Sequence, residues 1–126
     1  MPITAVLVDD DEDLSQVLIP VLEDFADVNV VEVAHTPVEA LALMAKYELD
    51  WQLLILDIDL RNGSGLDVLN ACSHRLPHQL IIVLTNLSTP QVRSRCLSLG
   101  VDAVFDKTAE IDAFLKHCQA LKRHGP

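Results

Sequence analysis

The stretch Ile3-Thr4-Ala5-Val6-Leu7-Val8-Asp9-Asp10-Asp11 decides the fold: a short run suited to a strand ends abruptly in three carboxylates. Val6, Leu7 and Val8 are apolar in succession, the pattern of a strand covered on both faces and not of one with a wet side. Four more runs repeat the theme at Val28 to Val33, Leu53 to Leu56, Leu80 to Leu84 and Val101 to Phe105. Segments of helical period separate them, and that rhythm predicts βα units around a parallel sheet. Asn29 and Glu32 place the second strand nearer the sheet edge, while the first is expected to be central.

Between the runs, Leu14, Val17, Leu18, Val21, Leu22 and Phe25 recur at helical spacing, a stripe wide enough to cover a sheet face. Pro20 lies inside it and predicts a kink or a locally broken ladder, not the end of the helix. Thr36-Pro37-Val38-Glu39 predicts the start of a second helix: a Thr N-cap, Pro at the first helical position, and Glu placed to reach back to the cap. Leu66, Leu69 and Cys72 outline a third, and Thr89-Pro90 opens a fourth that should stop at Gly100. Ile111, Phe114, Leu115, Cys118 and Leu121 carry a fifth after Thr108, with Lys116, Lys122 and Arg123 toward its C-terminal end, where the helix dipole favours cations. The architecture expected is an α/β, doubly wound three-layer sandwich with five parallel strands in the common order 2-1-3-4-5.

The 126 residues are expected to form a single domain over 1–126, with no room for an output domain. Half the residues are apolar and 22% charged, too hydrophobic a mixture for intrinsic disorder. The longest apolar runs fall far short of the roughly 20 residues that cross a bilayer, and no signal or transit segment opens the chain, so a cytoplasmic protein without membrane contact is expected. A net charge of −10 would repel a polyphosphate backbone, which argues against direct nucleic-acid binding. Cys72, Cys96 and Cys118 are odd in number and sit in apolar patterns, so reduced core thiols are expected in place of a disulfide framework or a zinc site.

Polar residues fall where the apolar runs stop. Asp9 and Asp10 follow the first strand, Asp57 the third, Thr85 the fourth, and Lys107 lies just beyond the fifth. In an open α/β sheet, ligands bind outside the carboxyl ends of the strands, where the strand order reverses. With strand one beside strand three, the three carboxylates converge there, Thr85 is next along and Lys107 can reach in. Carboxylates that close repel one another, and a hard divalent ion is the simplest neutraliser. Oxygen ligands without nearby His or Cys suit Mg²⁺ or Mn²⁺, which keep room for a phosphoryl oxygen, and disfavour zinc. A carboxylate beside such an ion, a hydroxyl and a lysine is a constellation for phosphoryl transfer. Asp57 is the candidate nucleophile, because it follows the most buried strand and stands alone, whereas Asp9 and Asp10 form a pair suited to the metal.

Blander readings stand beside each residue. The acidic run Asp9 to Asp13 also fits a first-turn cluster favouring a helix N-terminus. Thr85 alone is a β-former, Lys107 alone a solvated side chain, and the coincidence at one sheet edge is what favours a site. His35, His74, His78, His117 and His124 are expected away from this edge, and Tyr47 and Trp51 are expected to pack.

The residues resemble the receiver domain of two-component response regulators, the phosphoacceptor module shared with the stand-alone chemotaxis regulator. The likeness spans Ile3 to about Arg123. It rests on Val6-Leu7-Val8-Asp9-Asp10-Asp11, on Leu54-Ile55-Leu56-Asp57-Ile58-Asp59-Leu60 followed by Ser64-Gly65-Leu66, on Ile81-Ile82-Val83-Leu84-Thr85, and on Phe105-Asp106-Lys107. The resemblance implies a flavodoxin-like (βα)5 fold in which Asp57 accepts a phosphoryl group from a histidine kinase or histidine phosphotransfer protein. It implies that Asp10, Asp57 and the backbone carbonyl of Asp59 bind Mg²⁺, or Mn²⁺, directly, with Asp9 helping largely through water. Thr85, Asn86 and Lys107 would form the phosphoryl-contacting and switch set. Phosphorylation would then re-pose helix four, strand five and helix five for a downstream protein or a homodimer. Apart from its own phosphoryl acceptance and slow dephosphorylation, the chain would not be an enzyme.

Three positions depart from that family's pattern. Asn86 stands where a small residue usually follows the Thr and leaves an open path to the acceptor, so slower phosphoryl entry or water attack is expected. Val104 occupies the place of the switching aromatic, and Phe105, one place later, should face the other side of the sheet by alternation. Thr108 replaces a proline after the Lys, so that peptide should be trans. A receiver fold that binds partners without phosphorylation therefore stays open as a second reading. A third is a haloacid dehalogenase-type phosphatase, which Leu56-Asp57-Ile58-Asp59 and Leu84-Thr85-Asn86 also resemble. Against it, no Gly-Thr follows the acidic pair, and Glu110 and Asp112 fall inside a helix.

Overall fold

The computed structural model describes residues 2–124, with side chains described as far as Leu121. Five strands form one parallel sheet: β1 (Ile3–Val8), β2 (Val28–Ala34), β3 (Leu53–Leu56), β4 (Leu80–Thr85) and β5 (Ala103–Asp106). Their spatial order is β2-β1-β3-β4-β5, the order expected, with β2 at one edge and β3 in the middle. Helices α1 (Glu12–Ala26), α2 (Pro37–Lys46), α3 (Gly65–Ala71), α4 (Pro90–Ser98) and α5 (Ile111–His124) follow the strands in turn.

Alternation along each strand divides the core into two layers. Leu53 and Ile55 of β3 point with Ala5, Leu7, Ile82 and Leu84 toward Leu18, Leu22, Phe114 and Cys118 of α1 and α5. Leu54 and Leu56 point with Val6, Val8, Ile81 and Val83 toward Ala40, Met44, Val68, Leu69 and Cys96 of α2, α3 and α4. Every residue of β3 is buried, and each such Leu or Ile contributes about 1.5–3 kcal/mol through burial. The three cysteines are free thiols in these layers, and burial pushes Cys118 up to about 12. Trp51 is buried in the layer of α2 and α3, and Tyr47 packs against it.

The local signals act as their chemistry predicts at most ends. The Asp11 side chain accepts from the Leu14 amide and caps α1, with Glu12 and Asp13 in its first turn, and the helix continues through Pro20. Thr36 caps α2 through the Glu39 amide. The Glu39 carboxylate reaches back to the cap, accepting from the Thr36 hydroxyl at 3.4 Å, and one residue further, accepting from the His35 amide at 3.0 Å. Thr89 caps α4, which ends at Ser98, with Gly100 in the left-handed region at φ 89°. Lys122 and Arg123, expected as dipole partners for α5, lie outside the described side chains.

Four strand boundaries differ from the sequence reading: β2, β4 and β5 each run one residue further, to Ala34, Thr85 and Asp106, and β5 starts two residues later. β5 begins at Ala103 and not at Val101, because Val101 is already buried in the core before the strand. Asp102 meets the Ile81 amide with its carboxylate, at 2.7 Å. β4 extends to Thr85, whose carbonyl accepts from the Lys107 amide at 3.1 Å. An antiparallel ladder of Asp59–Leu60 with Gly63–Ser64 also lies between β3 and α3, turning through Asn62 at φ 63°. It was not expected, since two-residue strands carry no readable period. It returns the chain to Asp57, where a Cβ on Gly65 would lie 2.3 Å from the Asp57 carbonyl oxygen, so only glycine fits.

Candidate functional site

The ladders bring the expected polar residues to one edge. Val8 pairs with Leu56 and Leu56 with Val83, so the residues after β1 and β3 and at the end of β4 emerge side by side. The Asp57 amide donates to the Val8 carbonyl and the Asp9 amide to the Ala34 carbonyl, each at 2.9 Å, which continues the sheet one residue into the site. Asp9, Asp57 and Thr85 are only 2%, 4% and 0% exposed, and Asp10 is half-buried. Carboxylate oxygens of Asp9, Asp10 and Asp57 lie within 4.8 Å of one another.

Asp57 is held through both oxygens. Oδ1 accepts from the Thr85 hydroxyl at 2.6 Å and from the Asp59 amide at 3.1 Å. Oδ2 accepts from Lys107 Nζ at 2.7 Å, and the same ammonium lies 2.7 Å from Asp9 Oδ2. The Asp9 Oδ1 atom accepts from the Asp11 amide at 2.8 Å. Burial drives the Asp9 pKa above its ordinary value, despite the opposing Lys107 and Asp11 hydrogen bonds. Burial pulls the Lys107 pKa down, but the hydrogen bonds and negative charges of Asp57 and Asp9 outweigh it and hold the ammonium above its ordinary value. One cation thus serves two buried carboxylates, with a third at the rim. A hard divalent ion fits this all-oxygen donor set.

Further outward, the trans bond after Lys107 and the opposite facing of Val104 and Phe105 are as expected, and His35 is not. Asp59 is exposed in the small hairpin. Asn86 Oδ1 accepts a hydrogen bond from the Thr108 hydroxyl at 3.1 Å. Lys107-Thr108 is trans, as are all the described peptide bonds. Val104 packs in the layer of α2, α3 and α4, whereas Phe105 faces the other layer, edge-on to Phe114 and His117. His35, expected away from the edge, is a correction: its Nδ1 lies 2.9 Å from the Asp9 carbonyl oxygen. It follows β2, whose carboxyl end lies at the same edge, so the rule that found the aspartates could have found it.

A polar brace not anticipated from the sequence lies beside the site. Ser88 Oγ donates to Asp106 Oδ2 at 2.5 Å, and Arg93 Nε donates to the Ser88 carbonyl at 2.9 Å. Arg93 also donates to the Val104 carbonyl and pairs with Glu110, whose carboxylate accepts from the Asp106 amide. The Ser88 hydrogen bond, then those from the Ala109 and Thr108 amides, hold Asp106 below its ordinary value, and the Arg93 hydrogen bond does the same for Glu110.

A sheet of this order with acidic loops, a hydroxyl and a lysine at its carboxyl edge defines a doubly wound α/β domain with its polar site at the strand-order reversal. The sequence matches the response regulator receiver domain family over residues 5–119, and the chain belongs to that family. Among solved structures it is similar to the non-phosphorylated HemR receiver domain of Leptospira biflexa. That pair is 29% identical with a TM-score of 0.81, over 98% of this chain and 93% of that one. It also shares the fold of a chain in the CheX–CheY–BeF3–Mg²⁺ complex of Borrelia burgdorferi, at 17% identity and TM-score 0.83, over 100% of this chain and 92% of that one. The response regulator domain of Thermotoga maritima CheB has the same fold at 20% identity and TM-score 0.82, with all of both chains covered. No helix among the described residues is long and apolar enough to cross a membrane.

Proposed function

We propose that the chain is a phosphoacceptor receiver in which Asp57 takes a phosphoryl group from a phosphohistidine on a histidine kinase or histidine phosphotransfer protein. The observation that carries this is the suspension of the buried Asp57 carboxylate between the Thr85 hydroxyl and the Lys107 ammonium, beside Asp9 and Asp10. An Asp57 oxygen attacks phosphorus, the P–N bond breaks, and its electron pair goes to the imidazole nitrogen, which then takes up a proton. Lys107 and Thr85, already on the Asp57 oxygens, are placed to pass to the phosphoryl oxygens as charge moves onto them. Asp9, Asp10 and Asp57, with the Asp59 backbone carbonyl, would hold Mg²⁺ or Mn²⁺, whose chemistry is to offset the charge of carboxylates and phosphoryl group together.

The product is stoichiometric, one aspartyl phosphate per chain, and the chain is not a turnover enzyme. Its signal would pass through α4, β5 and α5 to a downstream protein or a second copy in the cytoplasm. The dehalogenase-type reading loses support from Glu110, which pairs with Arg93 and not with the acidic cluster. Beryllofluoride, a phosphoryl mimic, tests the reading by NMR titration. The expected result is saturable binding that needs Mg²⁺ and is abolished by Asp57→Asn, and absence of binding by the wild type would overturn it.

A further inference from the structure

The turn from β1 into α1 carries two of the three clustered carboxylates, Asp9 and Asp10, and its backbone is held from the carboxyl end of β2. The Asp9 amide donates to the Ala34 carbonyl at 2.9 Å, which continues the β1–β2 ladder. At Thr36 the chain turns away to cap α2, and the His35 ring takes over, with Nδ1 2.9 Å from the Asp9 carbonyl oxygen. That oxygen can only accept, so Nδ1 carries the proton of this hydrogen bond. His35 is itself fixed, its amide donating to the Glu39 carboxylate at 3.0 Å and its Nε2 lying 3.8 Å from Glu12 Oε1 at the start of α1. The Asp9 carbonyl belongs to the planar peptide that joins Asp9 to Asp10, so a donor on it fixes the plane between the two carboxylate-bearing residues. On the next residue, the Asp10 carbonyl meets the exposed Arg61 guanidinium at 3.4 Å, beyond the usual range of such bonds. The Asp9 peptide is therefore the point through which the fold sets the direction of Asp10.

We infer that His35 is a positioning residue for the divalent ion: its hydrogen bond to the Asp9 carbonyl sets the pose of the Asp9–Asp10 pair and so tightens the binding of Mg²⁺. The inference rests on the reading above in which these carboxylates hold the ion. The ring is a support and not a ligand, since Mg²⁺ takes oxygen donors. Without it the peptide between the two aspartates is free to tilt, and binding must first restore one orientation, a cost that appears as lost affinity.

Calorimetric titration with Mg²⁺ alone, beside urea unfolding without divalent ions, tests it on the wild type, His35→Ala, His35→Leu and His35→Asn. With 27% of its side chain exposed, the ring can be replaced without emptying the core. His35→Ala and His35→Leu, which lack the donor with and without a loss of bulk, should each weaken Mg²⁺ binding about tenfold, the weight of one hydrogen bond that orients a metal site. Asn has an amide nitrogen that can take the place of Nδ1, and His35→Asn should return the dissociation constant toward wild type. A purely structural role predicts a different pattern, in which affinity follows the metal-free unfolding midpoint across the variants and not the presence of a donor. That pattern would overturn the inference, as would failure of His35→Asn to restore affinity. Unchanged binding in His35→Ala would also overturn it, and so would tighter binding, which would make the ring a nearby charge and not a support. Wild type that fails to bind Mg²⁺ would defeat the metal reading itself, and the inference with it.

Discussion

The two oxygens of Asp57 have different company, a hydroxyl and an amide on one and an ammonium on the other. Lys107 is the only cation among the described side chains within salt-bridge distance of Asp9 and Asp57. Lys107→Met would leave both buried carboxylates without it and is expected to cost about 3 kcal/mol, read by urea unfolding without divalent ions. An unchanged midpoint would mean the charges are already solvated. Gly65→Ala places a methyl group 2.3 Å from the Asp57 carbonyl oxygen and is expected to cost about 3 kcal/mol while displacing the end of β3. The aspartates, Thr85 and Lys107 were legible because each interrupts or ends an apolar run. Gly65 was legible only as part of a resemblance, since its role depends on a hairpin too short to have a period. Ser88 and Arg93 were not legible at all, because a loop serine and a helix arginine look alike whether solvated or paired.

At the scale of elements, Arg93 joins α4 to the β4–α4 loop, to β5 and to the start of α5. Arg93→Ala should loosen that face without unfolding the domain: faster amide exchange at Asp106 and through α4, with a small fall in melting temperature. Exchange confined to fraying ends would show the brace to be idle. The acid dependence has a defined sign. Asp106 and Glu110 are held below their ordinary values of 3.8 and 4.5, so the unfolded chain binds protons first. Their contribution is present above those values and is lost as the pH falls through the lower, folded ones. Unfolding free energy should therefore fall on acidification below about pH 4.5, less steeply in Ser88→Ala. The comparison with the variant isolates Asp106, since Asp9, raised by burial, works in the opposite direction. Alternation along β5 was enough to place Phe105 away from Val104, but the start of β5 was missed because Val101 is apolar for the core and not for the sheet.

For the whole molecule, two apolar layers hold a sheet whose carboxyl edge gathers repelling charge, so stability and function oppose each other at one end. Phe114 is fully buried between α5 and the sheet, and Phe114→Ala is expected to cost about 4 kcal/mol in urea unfolding with the m-value unchanged. Mg²⁺ at a hundred times its dissociation constant should add about 2.7 kcal/mol, a gain that Asp10→Asn largely removes. The order of strands and the two layers were readable because they follow from period and burial. The pairing of polar side chains across loops was not, because it depends on which rotamers the finished fold permits. The central claim is that Asp57 is a Mg²⁺-dependent phosphoacceptor, and intact mass after transfer from a phosphorylated histidine phosphotransfer protein tests it most directly. The account predicts one phosphate-sized increment per chain, absent in Asp57→Asn and in chelator. An increment that persists in Asp57→Asn, or none in the wild type, would contradict it.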